Sequence, residues 1–422
     1  VLVAAAVFLA VLHFYGGGTG RDRAELDVVR TAGTLVVGIG GFIALLLTAR
    51  RQRYTELTLE HQREVAAVTE RDAAEQRITE LYTRAVDQLG NEKAPVRLGG
   101  LHALERLAQK NLDQQQTIVD VICAYLRMPY TPPEDQPPAE DAPAEVRTCY
   151  ENRRQELQVR LTAQRILGAH LRPEAEDAFW PGIDLNLTQA YLHTLDLSSC
   201  HVGTAQFEGA QFAGDADFTE ARFRGSARFT GAHFRGASVF ERAHFYDAAR
   251  FDGEAHFDGH VQFSGAHFHG SAWFDDARFK GGHAAFNGAH FDGGAVFIKA
   301  RFKACLGGYA KFDWAHFSGA DASFYRAQFG NVTTFFDAQF SVYAGFNGAR
   351  VRPHFGDSWP AGWTTRHARP AEDEKEGWMY LVRGEDRGEQ QPDQGDRSDS
   401  EAGTSRTSGL FNLKSWVRWR PR

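Results

Sequence analysis

The chain has 422 residues, a formal net charge of −7 and 43% hydrophobic residues, with 32 Phe and 42 Gly but only 2 Met. So mild a balance, without a basic stripe, excludes binding to nucleic acid by bulk charge. Its four cysteines (Cys123, Cys149, Cys200 and Cys305) stand far apart and form no CxxC pair, which excludes a paired-cysteine metal site and argues against a disulfide framework; they read as reduced thiols.

Residues 1–49 are expected to form a transmembrane hairpin. Residues 1–15 are almost wholly apolar, and the uncharged run through residues 32–49 is long enough to cross a bilayer. The sequence opens at Val1 inside the first run, so a further N-terminal piece is expected before it, and residues 1–15 read as the surviving end of a first helix rather than a signal peptide. Gly16 to Arg30 is the expected connecting loop. Gly38, Gly40 and Gly41 would let helix backbones approach closely. Arg50, Arg51 and Arg53 favour a cytoplasmic exit, weakly opposed by Arg21, Arg23 and Arg30 in the loop; the absence of disulfide candidates also places the bulk of the chain in the cytoplasm.

Residues 50–128 read as a helical neck. Arg50 to Leu89 lacks Pro and interior Gly and should continue the second span as one helix. Leu57, Val65, Val68, Ile78, Tyr82, Ala85 and Leu89 fall near one stripe, interrupted by His61, Asp72 and Glu75, which leaves open a homodimeric coiled coil or a solvated helix packed only at its end. Pro95 suits the first turn of a helix to Lys110, with Gly99, Gly100 and Ala103 as close-packing positions, and another helix follows at Gln115 to Arg127. The acidic, Pro-rich segment 129–144 is a linker, and residues 145–182 supply a helix expected to cap the next domain.

From 183 to 351 a small residue and then a large one recur. Leu187, Leu192, Leu197 and Val202 begin the series. Phe then takes over at Phe207, Phe212, Phe218, Phe223, Phe229, Phe234, Phe240, Phe245, Phe251, Phe257, Phe263, Phe268, Phe274, Phe279, Phe286, Phe291, Phe297, Phe302, Phe312, Phe317, Phe324, Phe329, Phe335, Phe340 and Phe346. Ala stands two residues before nearly every one, from Ala205 to Ala344. A spacing near five fits neither a helix face nor an alternating strand. It fits a chain that turns a corner after every repeat, stacking each unit on its neighbours. From Phe207 the steps mostly alternate five and six, so a coil should take about 22 residues, with the extra residue as a bulge on two opposite faces. Longer steps add a residue through Gly281-Gly282 and through Gly319, and Leu306 is the expected core residue between Phe302 and Phe312. Each interior Phe should contribute about 2 kcal/mol by burial.

The small-x-(Leu/Phe) repeat resembles the pentapeptide-repeat family, over roughly two fifths of the chain. That resemblance implies a mainly β fold, a right-handed quadrilateral β-helix of four repeats per coil, here preceded by the hairpin and neck. The run AVDQLGNEKAPVRLGGLHALERLA is similar to the helical segment before the repeats in membrane-attached members from actinobacteria. After Val351 the period is lost. Residues 352–383, with Trp359, Trp363, Trp378, Met379 and Tyr380, should cap the far end; 384–409 is polar and reads as a disordered linker; the basic, aromatic tail 410–422 suits an anionic membrane surface.

No P-loop, GxSxG or HExxH motif occurs, and no cofactor is implied. The notable polar feature is a column: Arg222, His244, His267, His290 and His316 each precede a core Phe about one coil apart, with a second run of Gln211, His233, His256, Arg278 and Arg301. Imidazoles at strand spacing are solvated outer-face residues, or share a metal ion or respond to pH. The favoured reading is a membrane-anchored, non-enzymatic interaction or scaffold module with a protein partner. The alternatives are a DNA-mimicking topoisomerase regulator, a role the resemblance brings in and the balanced rod charge opposes, and a metal- or pH-responsive sensor.

Overall fold

The computed structural model describes residues 9–10, 13, 20–303, 307–341, 343–367 and 377–384. Most of the first apolar run, Leu306 and the tail beyond 384 lie outside the described residues.

Helix α1, Gly20–Leu89, runs unbroken for 70 residues, about 105 Å at 1.5 Å per residue. The loop expected up to Arg30 is therefore helical from Gly20 onward; DRAELDVVR contains no Gly or Pro and is rich in helix formers. Gly33–Tyr54 within α1 is long and apolar enough to cross a bilayer, and Leu35, Phe42 and Leu45 stand exposed; a segment of this length and position fits a membrane anchor or a signal sequence. A methyl placed at Gly38, Gly40 or Gly41 would meet no described atom within 4 Å.

Among the described residues of α1, it is the C-terminal end that packs. Ala85 and Leu89 are buried while Val65 and Val68 are exposed. Their partner is α2, Ala94–Lys110, with Pro95 in its first turn. Gly100 allows the close approach: a Cβ there would stand 2.7 Å from the Leu89 nitrogen and 2.8 Å from the Ala85 carbonyl oxygen. Gly99 and Ala103, expected as packing positions, face outward. Helix α3, Gln115–Arg127, completes the neck, and α4, Ala144–His170, follows it as the cap helix.

The neck closes the first coil. Gln116 hydrogen-bonds the backbone of Asp184 on both sides, through N–H at 2.9 Å and C=O at 3.0 Å, and His201 donates its backbone N–H to the Leu171 carbonyl at 2.7 Å. Trp180 is fully buried, donates its indole N–H to Gln109 at 3.0 Å and stacks on His170 at 4.0 Å. His170 Nε2 lies 2.9 Å from Glu105, whose other oxygen lies 2.9 Å from His102. The hydrogen bond with His170 holds the Glu105 carboxyl down at about 2, against the opposing effect of burial and with help from His102. A carboxyl held below its ordinary 4.5 stabilises the fold above that pH, and the contribution is lost as pH falls toward 2. Glu105→Gln should therefore flatten the acid limb: between pH 4.5 and 2 its melting temperature, followed by circular dichroism, should fall less steeply than that of the native chain. Parallel curves would show that this pair does not hold the junction.

Beyond the cap the chain winds into a solenoid of four parallel sheets. The first face runs from Leu185–Asn186 to Ala344–Gly345 in eight strands and the second from Tyr191–Leu192 to Arg350–Val351. The third runs from Leu195–Asp196 to Val332–Thr334 and the fourth from His201–Val202 to Gln339–Phe340, seven strands each. About seven turns result, roughly 34 Å of rod at ~4.8 Å per strand. The Phe rings stack coil on coil, as in Phe229 on Phe251 at 4.8 Å and Phe251 on Phe274 at 5.0 Å. Of the 25 Phe in the repeat series, Phe340 alone is only half-buried, because it ends its stack.

The strands pair without bulges. The extra residue of each six-residue step sits instead at two opposite corners, second to third face and fourth to first. Glycines line these corners because the next coil crosses against them: a Cβ at Gly236 would stand 2.5 Å from the Gly214 carbonyl carbon, and one at Gly259 or Gly281 would strike the carbonyl of Gly236 or Gly259. Gly319 stacks in the same way on Gly293. It is thus a regular corner glycine, and with Ala322 paired to Ala295 the added residue falls at Ala320-Asp321. At the other two corners a residue in the left-handed region turns the chain, sometimes Gly231 or Gly288 and sometimes Glu220, Arg242 or Trp314.

At the far end Trp359 lies against Phe329 at 5.4 Å and Trp363 against Phe346 at 5.2 Å. The hairpin of Trp363–His367 and Met379–Arg383 adds antiparallel to Arg350–Val351. Trp378 instead lies beside Arg350 and Arg352 on the second face.

Candidate functional site

With the interior filled mainly by Phe, Ala and Leu, and with Ser238 and Thr333 as buried polar exceptions, most of the chemically varied side chains face outward. On the fourth face the inward Phe is the second residue of each strand, so the residues before and after it both point out. Arg222, His244, His267, His290 and His316 occupy the position before, on consecutive paired strands. The imidazoles stack: His244 on His267 at 4.9 Å, His267 on His290 at 4.4 Å, and His290 on His316 at 4.7 Å, with ring planes within 15° of parallel.

Packing in a ladder is unfavourable for charge. Burial, then Arg222 and His269, lower the basicity of His244; burial, then His244 and His269, lower that of His267; burial, then His267 and His316, lower that of His290. His244, His267 and His290 are thereby biased toward neutral imidazole, the form that ligates metals and stacks without repulsion.

The second run lies on the second face, where Gln211, His233, His256, Arg278 and Arg301 pair in register. Here the side chains find carboxylates: His233 Nε2 lies 2.5 Å from Asp258, Lys280 lies 3.2 Å from Asp258, and Arg278 pairs with Glu254. Such exposed pairs add little stability.

Reading only the residue before each Phe overlooks the residue after it. On the fourth face that row is Arg224, Tyr246, His269, Asp292 and Ser318. Tyr246 stacks on His269 at 4.9 Å, and His269 Nδ1 lies 3.2 Å from Asp292. On the third face His260 stacks on His283 at 4.5 Å and His283 on Tyr309 at 4.2 Å. The period-two alternation within each short strand is the signal that finds both.

Residues 207–254 and 253–301 match the family model for pentapeptide repeats (9 copies), and the match indicates no catalytic family. No curated protein and no solved structure matches the chain.

Proposed function

The chain is a pentapeptide-repeat protein, and from that premise we propose that its solenoid is a non-enzymatic protein-interaction module held at the cytoplasmic side of a membrane by helix α1. One observation carries the reading. The coils repeat their interior so closely that chemical individuality is concentrated in four outward ladders, as on the fourth face, where Arg, His, Tyr, Asp and Ser stand in register over successive coils. Rows of side chains on rigid sheets suit recognition of another surface better than they suit conversion of a small molecule. The apolar segment Gly33–Tyr54 supports the anchor. A DNA-mimicking role is disfavoured because outward acids are paired with bases, as in Glu220 with Arg242 at 2.9 Å.

Site-specific photocrosslinking in native membranes tests this. A photoreactive residue is placed at one outward position per face: Arg250, Arg235, Gln262 or Tyr246. A discrete protein adduct from one face and not its opposite is the expected result. No adduct from any face would remove the interaction reading, and release of the protein from membranes by alkaline carbonate would remove the anchor.

A further inference from the structure

The two outward rows of the fourth face meet around Phe268. His267 and His269 flank its inward ring, and His244 stands one coil before His267. One ligand nitrogen from each of His244, His267 and His269 lies within 4.8 Å of the other two. We propose that these three imidazoles form a binding site for one divalent transition-metal ion of the zinc type.

Three observations point to a ligand here. The donor set is all imidazole, which suits zinc, copper and nickel and excludes the oxygen-seeking calcium and magnesium. His269 has the environment of a metal-ligating histidine: its Nδ1 lies 3.2 Å from the Asp292 carboxylate, supplied by the next coil, which orients the ring and leaves Nε2 for the ion. His244 carries a buried Nδ1 with no hydrogen-bond partner, which an ion would satisfy, although His193, His256 and His283 share that feature elsewhere on the rod. Arg222, directly before His244 in the column, opposes a cation, and Asp292 offsets it. Zinc–imidazole bonds of ~2.0–2.1 Å require the three nitrogens to draw together, a movement available to side chains on an outer face by rotation about χ1 and χ2. Three protein ligands leave a coordination position open. The site is independent of the interaction reading above.

The test is titration of the full-length, tag-free chain in detergent with Co2+, whose visible absorption reports coordination, followed by displacement with Zn2+. One Co2+ per chain is expected, with the intense band of a four- or five-coordinate ion. His269→Ala and His267→Ala should each weaken binding at least ~10-fold, as should Asp292→Asn acting through His269. His316→Ala, two coils further along the same column, should leave the affinity within about twofold if it lies outside the ligand set. Far-UV circular dichroism checks that each variant keeps its fold. Absence of one-to-one binding overturns the proposal, and so does unchanged affinity in His269→Ala. Equal losses in His269→Ala and His316→Ala would also overturn it, because they would spread the ion along the column.

Discussion

Phe251→Ala is expected to lower the melting temperature by roughly 6–20 °C, the consequence of losing ~3–5 kcal/mol from a domain of this size. Phe251 is fully buried midway along the rod. It stacks on Phe229 and Phe274 at 4.8 and 5.0 Å and meets Phe240 and Phe263 edge-on at 5.3 and 5.1 Å. Alanine forfeits the burial and these ring contacts together, and the coils above and below cannot collapse into the gap without breaking their own ladders. Phe251→Leu should cost far less, about 1–1.5 kcal/mol, because Leu187, Leu192 and Leu197 already fill the equivalent space in the first coil. Hydrogen exchange should localise the damage, with protection falling most between Phe229 and Phe274. Uniform loss along the whole rod would contradict a nearest-neighbour solenoid.

Gly259→Ala should be as damaging although it adds a single methyl group. The added carbon would strike the carbonyl of Gly236, and that backbone is fixed by bonds on either side. Asp258 donates to Phe234 at 2.8 Å, and Lys280 donates to Phe257 at 2.8 Å. Relief requires adjacent coils to part, so a cost of about 3 kcal/mol or more is expected, the upper range for overpacking. Gly288→Asn is the control. Gly288 has φ +59 and nothing within 4 Å of a Cβ, whereas the same corner holds Glu220, Arg242, Trp314 and Asp337 at φ between 52 and 58. A left-handed Asn there should change stability by no more than about 1 kcal/mol. Melts of the two variants side by side decide the matter: equal effects would mean that the two kinds of corner are not distinct.

That distinction marks the boundary of what the sequence alone conveys. The period of the Phe series is legible because only one large side chain per repeat fits inside, and the coil length follows from adding four steps. The location of the sixth residue is not legible from spacing, since a bulge within a strand and a residue at a corner give the same count. Contact between Gly236 and Gly214 is what separates them. The helical start at Gly20 was obscured by its charges, which read equally well as a loop between spans. The candidate site was half visible. His244 and His267 share a row, but His269 belongs to the neighbouring row and joins them only through the geometry of the strand.

The winding also sets an order of assembly during synthesis. From the second coil to Arg350–Val351, each strand pairs with one 20 to 27 residues before it, as Ala205 with Leu185 and Ala322 with Ala295. A coil can therefore settle as soon as it leaves the ribosome, with no need to wait for distant sequence. The neck helices and Trp180 emerge first and offer the template on which the opening turn is laid. At every later moment the growing rod has a single unsatisfied edge, at its newest coil. The hairpin at Trp363–His367 and Met379–Arg383 continues the second face beyond Arg350–Val351, so that part of the edge is covered once it is translated.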